Sequence, residues 1–303
     1  MRQDPTGGQY GRQTRRRGFG FSPRLLILLL FAGYGAYYWF SNRSTDPLTG
    51  ETVVIDKNLS PEEENAMGLQ AFQEILHQES PVDPNSQIAL QIREIAQRLI
   101  NKVPEVTAQL AAERGMQPSG VERSFDWNVV VLQSEQANAF CLPGGKMAVY
   151  TGLVPVAQNA DAMAVVMGHE ISHALLRHGA QRMARGRLEQ LGQMAGAMSG
   201  MDQATMQTVM SIYGYGNALP YARGHETQAD EVGLMLAAAA CYNPQEAVPL
   251  WQRMEQMSAG SSPPEFASTH PSAGTRIAHL QELMPKAMEY RAKFCGGAAA
   301  GQP

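Results

Sequence analysis

The sequence predicts a mainly α-helical protein with one small β-sheet, an α+β domain carried behind an N-terminal transmembrane helix. Three observations predict it. An uncharged run, LLILLLFAGYGAYYWF from Leu25 to Phe40, stands near the start. Apolar residues recur at helical spacing farther on, as in Ile88, Ile92, Ile95, Leu99 and Ile100. β-Branched residues cluster in the interval between Asp126 and Leu153, as in WNVVVLQ. The chain has 303 residues, 44% of them hydrophobic, enough for one large domain or two small ones. Its net charge of −4 argues against nucleic acid as a main partner.

Residues 1–18 are Gly- and Arg-rich and are expected to form a disordered basic terminus. Residues 19–41 are the expected anchor. Its uncharged core is short of the roughly 20 residues a span needs, but Phe19 and Phe21 lengthen it while Arg24 snorkels to the headgroups. Tyr37, Tyr38 and Trp39 suit an interfacial aromatic belt. A cleaved signal peptide is the alternative reading, but bulky aromatics stand where a small-x-small cleavage site belongs. Arg12, Arg15, Arg16 and Arg17 put the N-terminus on the cytoplasmic side. The expectation is therefore a single-pass protein of the inner (cytoplasmic) membrane, with the rest of the chain in the periplasm if the cell is bacterial.

Residues 42–59, with Pro47 and Gly50, are expected to be a linker, 60–285 the folded domain and 286–303 a C-terminal tail. Ser60-Pro61-Glu62-Glu63 opens a helix to about Gln78, and Asp83-Pro84 opens the next. Candidate strands lie at Asp126–Gln133, Ala137–Leu142 and Lys146–Leu153, the last two joined as a hairpin through Pro143-Gly144-Gly145. A helix follows from Asn159 to His178. The Met-rich stretch 186–219 reads as a helical hairpin packed on the core, or as a mobile lid. Helices are expected over 220–240, from Asn243-Pro244 onward, and through Ile277 and Leu280. Cys141, Cys241 and Cys295 are an odd set, so they are expected to be small buried residues, with a Cys241–Cys295 bridge left open.

The helix after Asn159 carries His169-Glu170-Ile171-Ser172-His173, an HExxH motif. Positions i and i+4 share a helix face, so His169 and His173 can both turn to one zinc ion, with Glu170 beside them as a general base. The apolar run Ala162–Met167 marks the helix as buried, and buried imidazoles need a partner that a metal supplies. A catalytic zinc takes three protein ligands. Leu176 and Gly179 stand where the HExxHxxGxxH pattern needs glycine and histidine, so that class is excluded. His178 falls about half a turn from His169 on a continuous helix and is expected to be a surface or capping histidine. Glu226 is the candidate third ligand. Asp230, one turn on, is the candidate hydrogen-bond partner of a ligating histidine. Their alternative is a pair of solvated helix charges. His225 points elsewhere around that helix and is not assigned. His270, on a loop, can reach the cleft, there to stabilise an oxyanion or to hold the water position in a latent enzyme.

HExxH, then ExxxD, then HPSxxxR, with NAFCLPGG before the metal helix, resembles the zinc metallopeptidases grouped around HtpX and the CAAX prenyl protease, in their single-anchor Oma- and BepA-like branch. The resemblance spans about residues 60–285. It implies a zincin-like metalloprotease fold and one zinc ion per chain. His169, His173 and Glu226 match the ligands and Glu170 the base. Asp230, His270 and Arg276 match further active-site residues, and Asn138, Ala139 and Phe140 match the strand beside the substrate. HtpX and the CAAX protease have several membrane spans; the single one here weighs against an intramembrane or prenyl substrate. The leading expectation is a membrane-anchored zinc endopeptidase acting on unfolded or misfolded envelope proteins. The alternatives are a latent homologue working as a chaperone-like assembly factor, and a structural zinc protein.

Overall fold

The computed structural model describes residues 22–213, 219–258, 270 and 275–296. The basic terminus expected over 1–18 lies outside them. Helix α1 (Pro23–Asn42) is capped by Ser22, whose hydroxyl accepts from the Leu25 amide at 3.2 Å, and it leaves most of its apolar side chains exposed. The expected linker is an ordered β-hairpin instead, β1 (Arg43–Thr45) against β2 (Thr52–Val54). Asp46 builds its turn by accepting from the Leu48 and Thr49 amides at 2.9 Å each, and Leu48 drops into the core.

Helix α2 (Pro61–Gln78) starts with a reciprocal Ser60–Glu63 capping box, and α3 (Gln87–Glu113) is capped by Ser86. The sheet orders β3 (Asn128–Leu132), β5 (Lys146–Tyr150) and β4 (Ala139–Leu142) as β3-β5-β4. β4 and β5 form the expected antiparallel hairpin, and β3 runs parallel to β5. β4 is thus an edge strand.

After the short helix α4 (Val154–Ala157), α5 (Ala160–Leu175) runs through the centre of the core, packed on α8 (Leu219–Ala239), α3 and β4. Its burial on every side explains why its apolar residues show no stripe. Helices α6 (His178–Met198) and α7 (Gln203–Tyr213) follow one another across a short turn, as a hairpin would, but touch each other little, and α6 packs chiefly along α1 rather than on the core. Helices α9 (Ala247–Ser258) and α10 (Arg276–Cys295) close the domain. α10 passes the boundary expected at 285: Ala287 and Tyr290 are buried, and Cys295 is bridged to Cys241. Apolar spacing and a disulfide hold this segment, so it is not a tail. Cys141 is a free buried thiol.

Candidate active site

Asn159 starts α5 by accepting from the Ala162 amide at 2.8 Å, and every residue from Ala162 to Leu175 is buried. The HExxH segment therefore turns neither imidazole to solvent, and its polar atoms need partners inside. The second wall is α8. A Cβ on Gly168 would lie 2.7 Å from the Gly233 carbonyl oxygen, and one on Gly233 would lie 2.6 Å from the His169 amide nitrogen. These two glycines let the helix backbones touch, which carries Glu226 and Asp230 onto the histidines.

A tetrahedral ion with bonds of about 2.1 Å holds its ligand atoms roughly 3.4 Å apart. His169 Nε2 and His173 Nε2 are 3.1 Å apart. Glu226 lies 3.3 Å from the first through Oε2 and 3.6 Å from the second through Oε1. His270 brings Nδ1 to 3.3 Å from His169 Nε2 and 2.9 Å from Glu226 Oε2. All four donor atoms fall within 4.8 Å of one another. Spacing and chemistry both fit zinc, which is the cofactor of this site.

Charge supports the same reading. Burial works against a charged His169, but Asp230 and Glu226 outweigh it and raise its pKa to about 9. Burial also opposes ionisation of Glu226, yet His169 and His270 hold its carboxyl far below the usual range. Burial, then the neighbouring imidazoles, push His173 well down, so it remains a neutral donor. Two buried carboxylates thus make the pocket a cation site, in which a bound metal ion would take the place of the His169 proton. Glu170 differs: burial raises its pKa, and its buried Oε1 accepts no hydrogen bond among the described residues. It lies 3.4 Å from His270 Nε2. A carboxylate left unsatisfied and basic beside a metal site is equipped to take a proton.

Asp230 Oδ1 accepts from His169 Nδ1 at 2.9 Å and from Arg276 at 2.6 Å, so Nε2 of His169 is the atom left for the ion. Arg276 is buried behind this pair, with its guanidinium 3.3 Å over the Trp251 ring. Sequence reasoning missed Trp251, which carries no motif. It also misjudged His178, which is fully buried, with Nδ1 2.7 Å from His173 Nδ1 and Nε2 3.0 Å from Gln228 Oε1. The helix is not continuous there. Arg177 adopts a left-handed conformation (φ 53°) between α5 and α6, which swings His178 back behind His173. With His173 Nε2 facing the other donors, its Nδ1–H donates to His178, and His178 Nε2–H donates to Gln228. His225 stays out of the donor set: it stacks on His178 at 4.0 Å and lies 3.1 Å from Gln181 Oε1.

Asn138, Ala139 and Phe140 fall at the start of β4, which packs along α5 close enough for the Glu170 charge to reach the buried Cys141 thiol. Ala139 and Phe140 pair with Val149 and Ala148 on the β5 side. The opposite edge of β4 has no strand partner among the described residues.

Fold and site together define a metallopeptidase of the HExxH class with two histidines and a distant glutamate. Comparison with known proteins narrows this. The model of peptidase family M48 matches residues 99–284. The mitochondrial metalloendopeptidase OMA1 of Schizosaccharomyces pombe is 31% identical over 268 residues, covering 86% of this chain and 72% of the relative. OMA1 of Saccharomyces cerevisiae is 29% identical over 287 residues, covering 88% and 76%. The β-barrel assembly-enhancing protease of Escherichia coli is 29% identical over 163 residues, covering 49% and 32%. The chain belongs to peptidase family M48 and is a zinc metalloendopeptidase.

Proposed function

We propose that this protein is anchored in a membrane by α1 and degrades misfolded or mis-assembled membrane and envelope proteins on the non-cytoplasmic side. The chemistry rests on one observation: His169, His173 and Glu226 meet at 3.1–3.6 Å with Glu170 on the same buried turn. In this reading an unfolded chain adds to the free edge of β4 at Asn138–Phe140, pairing by backbone and so tolerating many side chains. Bound at the site, zinc supplies a Lewis acid and acidifies water. Glu170 accepts the proton of that water and passes it to the leaving amine. Asp230 holds His169 in the ligating tautomer, and Arg276 holds Asp230.

Compartment and role have separate support. Helix α1 has the length and apolar composition of a span, and the Cys241–Cys295 bridge suits an oxidising compartment. A basic N-terminus then leaves the domain outside the cytoplasm: in the periplasm, if the cell is bacterial. The relatives are called mitochondrial in one case and assembly-enhancing in the other, both names compatible with surveillance of membrane proteins. One observation favours a second reading, a latent homologue acting as a chaperone: His270 lies within the donor set and can take the fourth position.

Casein cleavage by the purified full-length protein in detergent tests both. Glu170→Gln is expected to keep zinc while cleavage falls about 10²–10⁴-fold, and Glu226→Ala to lower zinc content. Retained cleavage in the first, or full zinc in the second, refutes the assignments. His270→Ala is expected to raise cleavage if this histidine holds the enzyme latent; a fall would assign it to oxyanion stabilisation.

A further inference from the structure

α1 and α6 lie antiparallel along almost their whole common length. At one end Tyr38 hydrogen-bonds Asp56 at 3.1 Å, and Asp56 also pairs with Arg187. A Cβ on Gly35 would lie 4.0 Å from Leu188 Cδ2, and at the far end one on Gly200 would lie 3.6 Å from the Arg24 guanidinium. From Leu188 to Gly200 is roughly 18 Å of helix, and Gly35 to Arg24 covers roughly the same rise. The hairpin tip is therefore level with the basic start of α1. If α1 crosses a bilayer with a hydrocarbon core of about 30 Å, α6 and α7 accompany it for more than half that depth. Their sequence permits this. Between Gln190 and Tyr213 the only charged residue is Asp202, at the tip, where it caps α7 through Thr205. Met194, Met198 and Val209 are exposed, as are Leu29 and Leu30 of α1.

Between these helices is a cavity of about 740 Å³. Leu28, Phe31 and Ala32 of α1 face Leu191 and Ala195 of α6 and Met206 of α7 across it. A helix about 10 Å wide and 20 Å long fills roughly 1,600 Å³, so the space is too small for a second span but within the roughly 300–1,000 Å³ of small-ligand sites. Gln181 and the ion pair of Arg185 with Glu189 at 3.3 Å also line the cavity, and the rest of its wall is largely apolar. Apolar walls at bilayer depth disfavour water, and the molecule available there is lipid. Its inner end is Gln181 and Tyr221, hydrogen-bonded at 3.2 Å, with Gln181 also meeting His225 behind the zinc-site wall.

We propose that the α6–α7 hairpin enters the bilayer beside α1 and that the cavity between them holds a phospholipid acyl chain. The proposal rests on the reading of α1 as a membrane anchor. Full-length protein carrying Cys141→Ser, reconstituted in phosphatidylcholine vesicles, can be spin-labelled at Leu29→Cys, Gln193→Cys or the exposed reference Gln97→Cys. Collision with oxygen relative to a nickel chelate is expected to exceed the Gln97→Cys value several-fold at both Leu29→Cys and Gln193→Cys. Nickel access at Gln193→Cys with oxygen dominance at Leu29→Cys overturns the hairpin insertion while leaving the anchor intact. Nickel access at Leu29→Cys overturns the anchor and the proposal with it. For the occupant, a Cβ on Gly192 meets nothing within 4 Å, so Gly192→Phe fills the cavity without a backbone clash. Full-length protein in mild detergent is expected to retain about one phospholipid per chain by mass spectrometry, and Gly192→Phe at least fivefold less at unchanged zinc content. Equal retention in the two proteins overturns lipid occupancy.

Discussion

With His173 proposed as a zinc ligand, the imidazole 2.7 Å behind it is the support on which its hold on the ion is expected to depend. Most ligating histidines lean on a carboxylate or a carbonyl; His169 does so through Asp230, whereas His173 leans on another neutral histidine, itself set by Gln228. Removing such a support typically costs 10–100-fold in metal affinity. His178→Ala is therefore expected to weaken zinc binding by about that factor in a competition titration with a chromogenic chelator, with the fold retained by circular dichroism. Unchanged affinity would reduce His178 to packing. The donor cluster was partly legible because helical period alone brings i and i+4 together, as with His169 and His173, and again sets Asp230 one turn from Glu226. His178 was not, because its position follows from one left-handed residue that no local signal announces. Arginine disfavours that conformation. It is held at Arg177 by tertiary contacts, a 2.7 Å ion pair to buried Glu64 and a bond to the Leu59 carbonyl at 3.4 Å.

Among elements, the decisive event is the contact of α5 with α8. HExxH and ExxxD were readable separately, but what joins them is a pair of glycines, Gly168 and Gly233, that fit no motif. Gly233→Ala would drive a methyl into the His169 backbone, where neither helix has a flexible end to yield. The expected outcome is a loss of about 3 kcal/mol, the upper end of the usual range for overpacked cores, together with loss of zinc; a melting curve and metal analysis check both. The parallel pairing of β3 with β5 was likewise illegible, since composition marks strands but register and order come from what packs on them. A second contact, α3 with α10, gives a pH signature. Burial would raise the Glu113 pKa, but bonds from Gln109, Tyr290 and Lys286 outweigh it and lower it. The folded state thus binds this proton less readily than the unfolded chain. The stabilisation is complete above the ordinary carboxylate pKa and fades as pH falls through the lowered one. Tyr290→Phe removes the 2.7 Å bond, and at neutral pH is expected to cost about 1 kcal/mol after solvent screening. In urea titrations the difference from wild type is expected to shrink below the ordinary carboxylate pKa; a constant difference would locate the effect in packing.

At the scale of the molecule, one covalent link unites stability with topology. The chain from Cys241 to Cys295 runs from the end of α8, which carries Glu226 and Asp230, to the end of α10, which begins with Arg276. Its sequence separation of 54 gives a chain-entropy stabilisation of about 4 kcal/mol. For a domain of this size that corresponds to roughly 10 °C in melting temperature. Sequence alone left the bridge open because three cysteines admit several pairings, and only the parallel packing of α8 and α10 brings their C-terminal ends, and so these two, together. Reduction should therefore act on the site through the fold: α10 loosens, Arg276 leaves Asp230, and His169 loses its orientation. The full-length protein is expected to melt about 10 °C lower in a reducing agent, and Cys241→Ala/Cys295→Ala to melt at that lower temperature with or without reductant. Cys141→Ala should respond to reductant as the wild type does, since its thiol is unpaired. A double variant as stable as the oxidised protein would detach the bridge from the fold, and with it one of the two supports for a domain outside the cytoplasm.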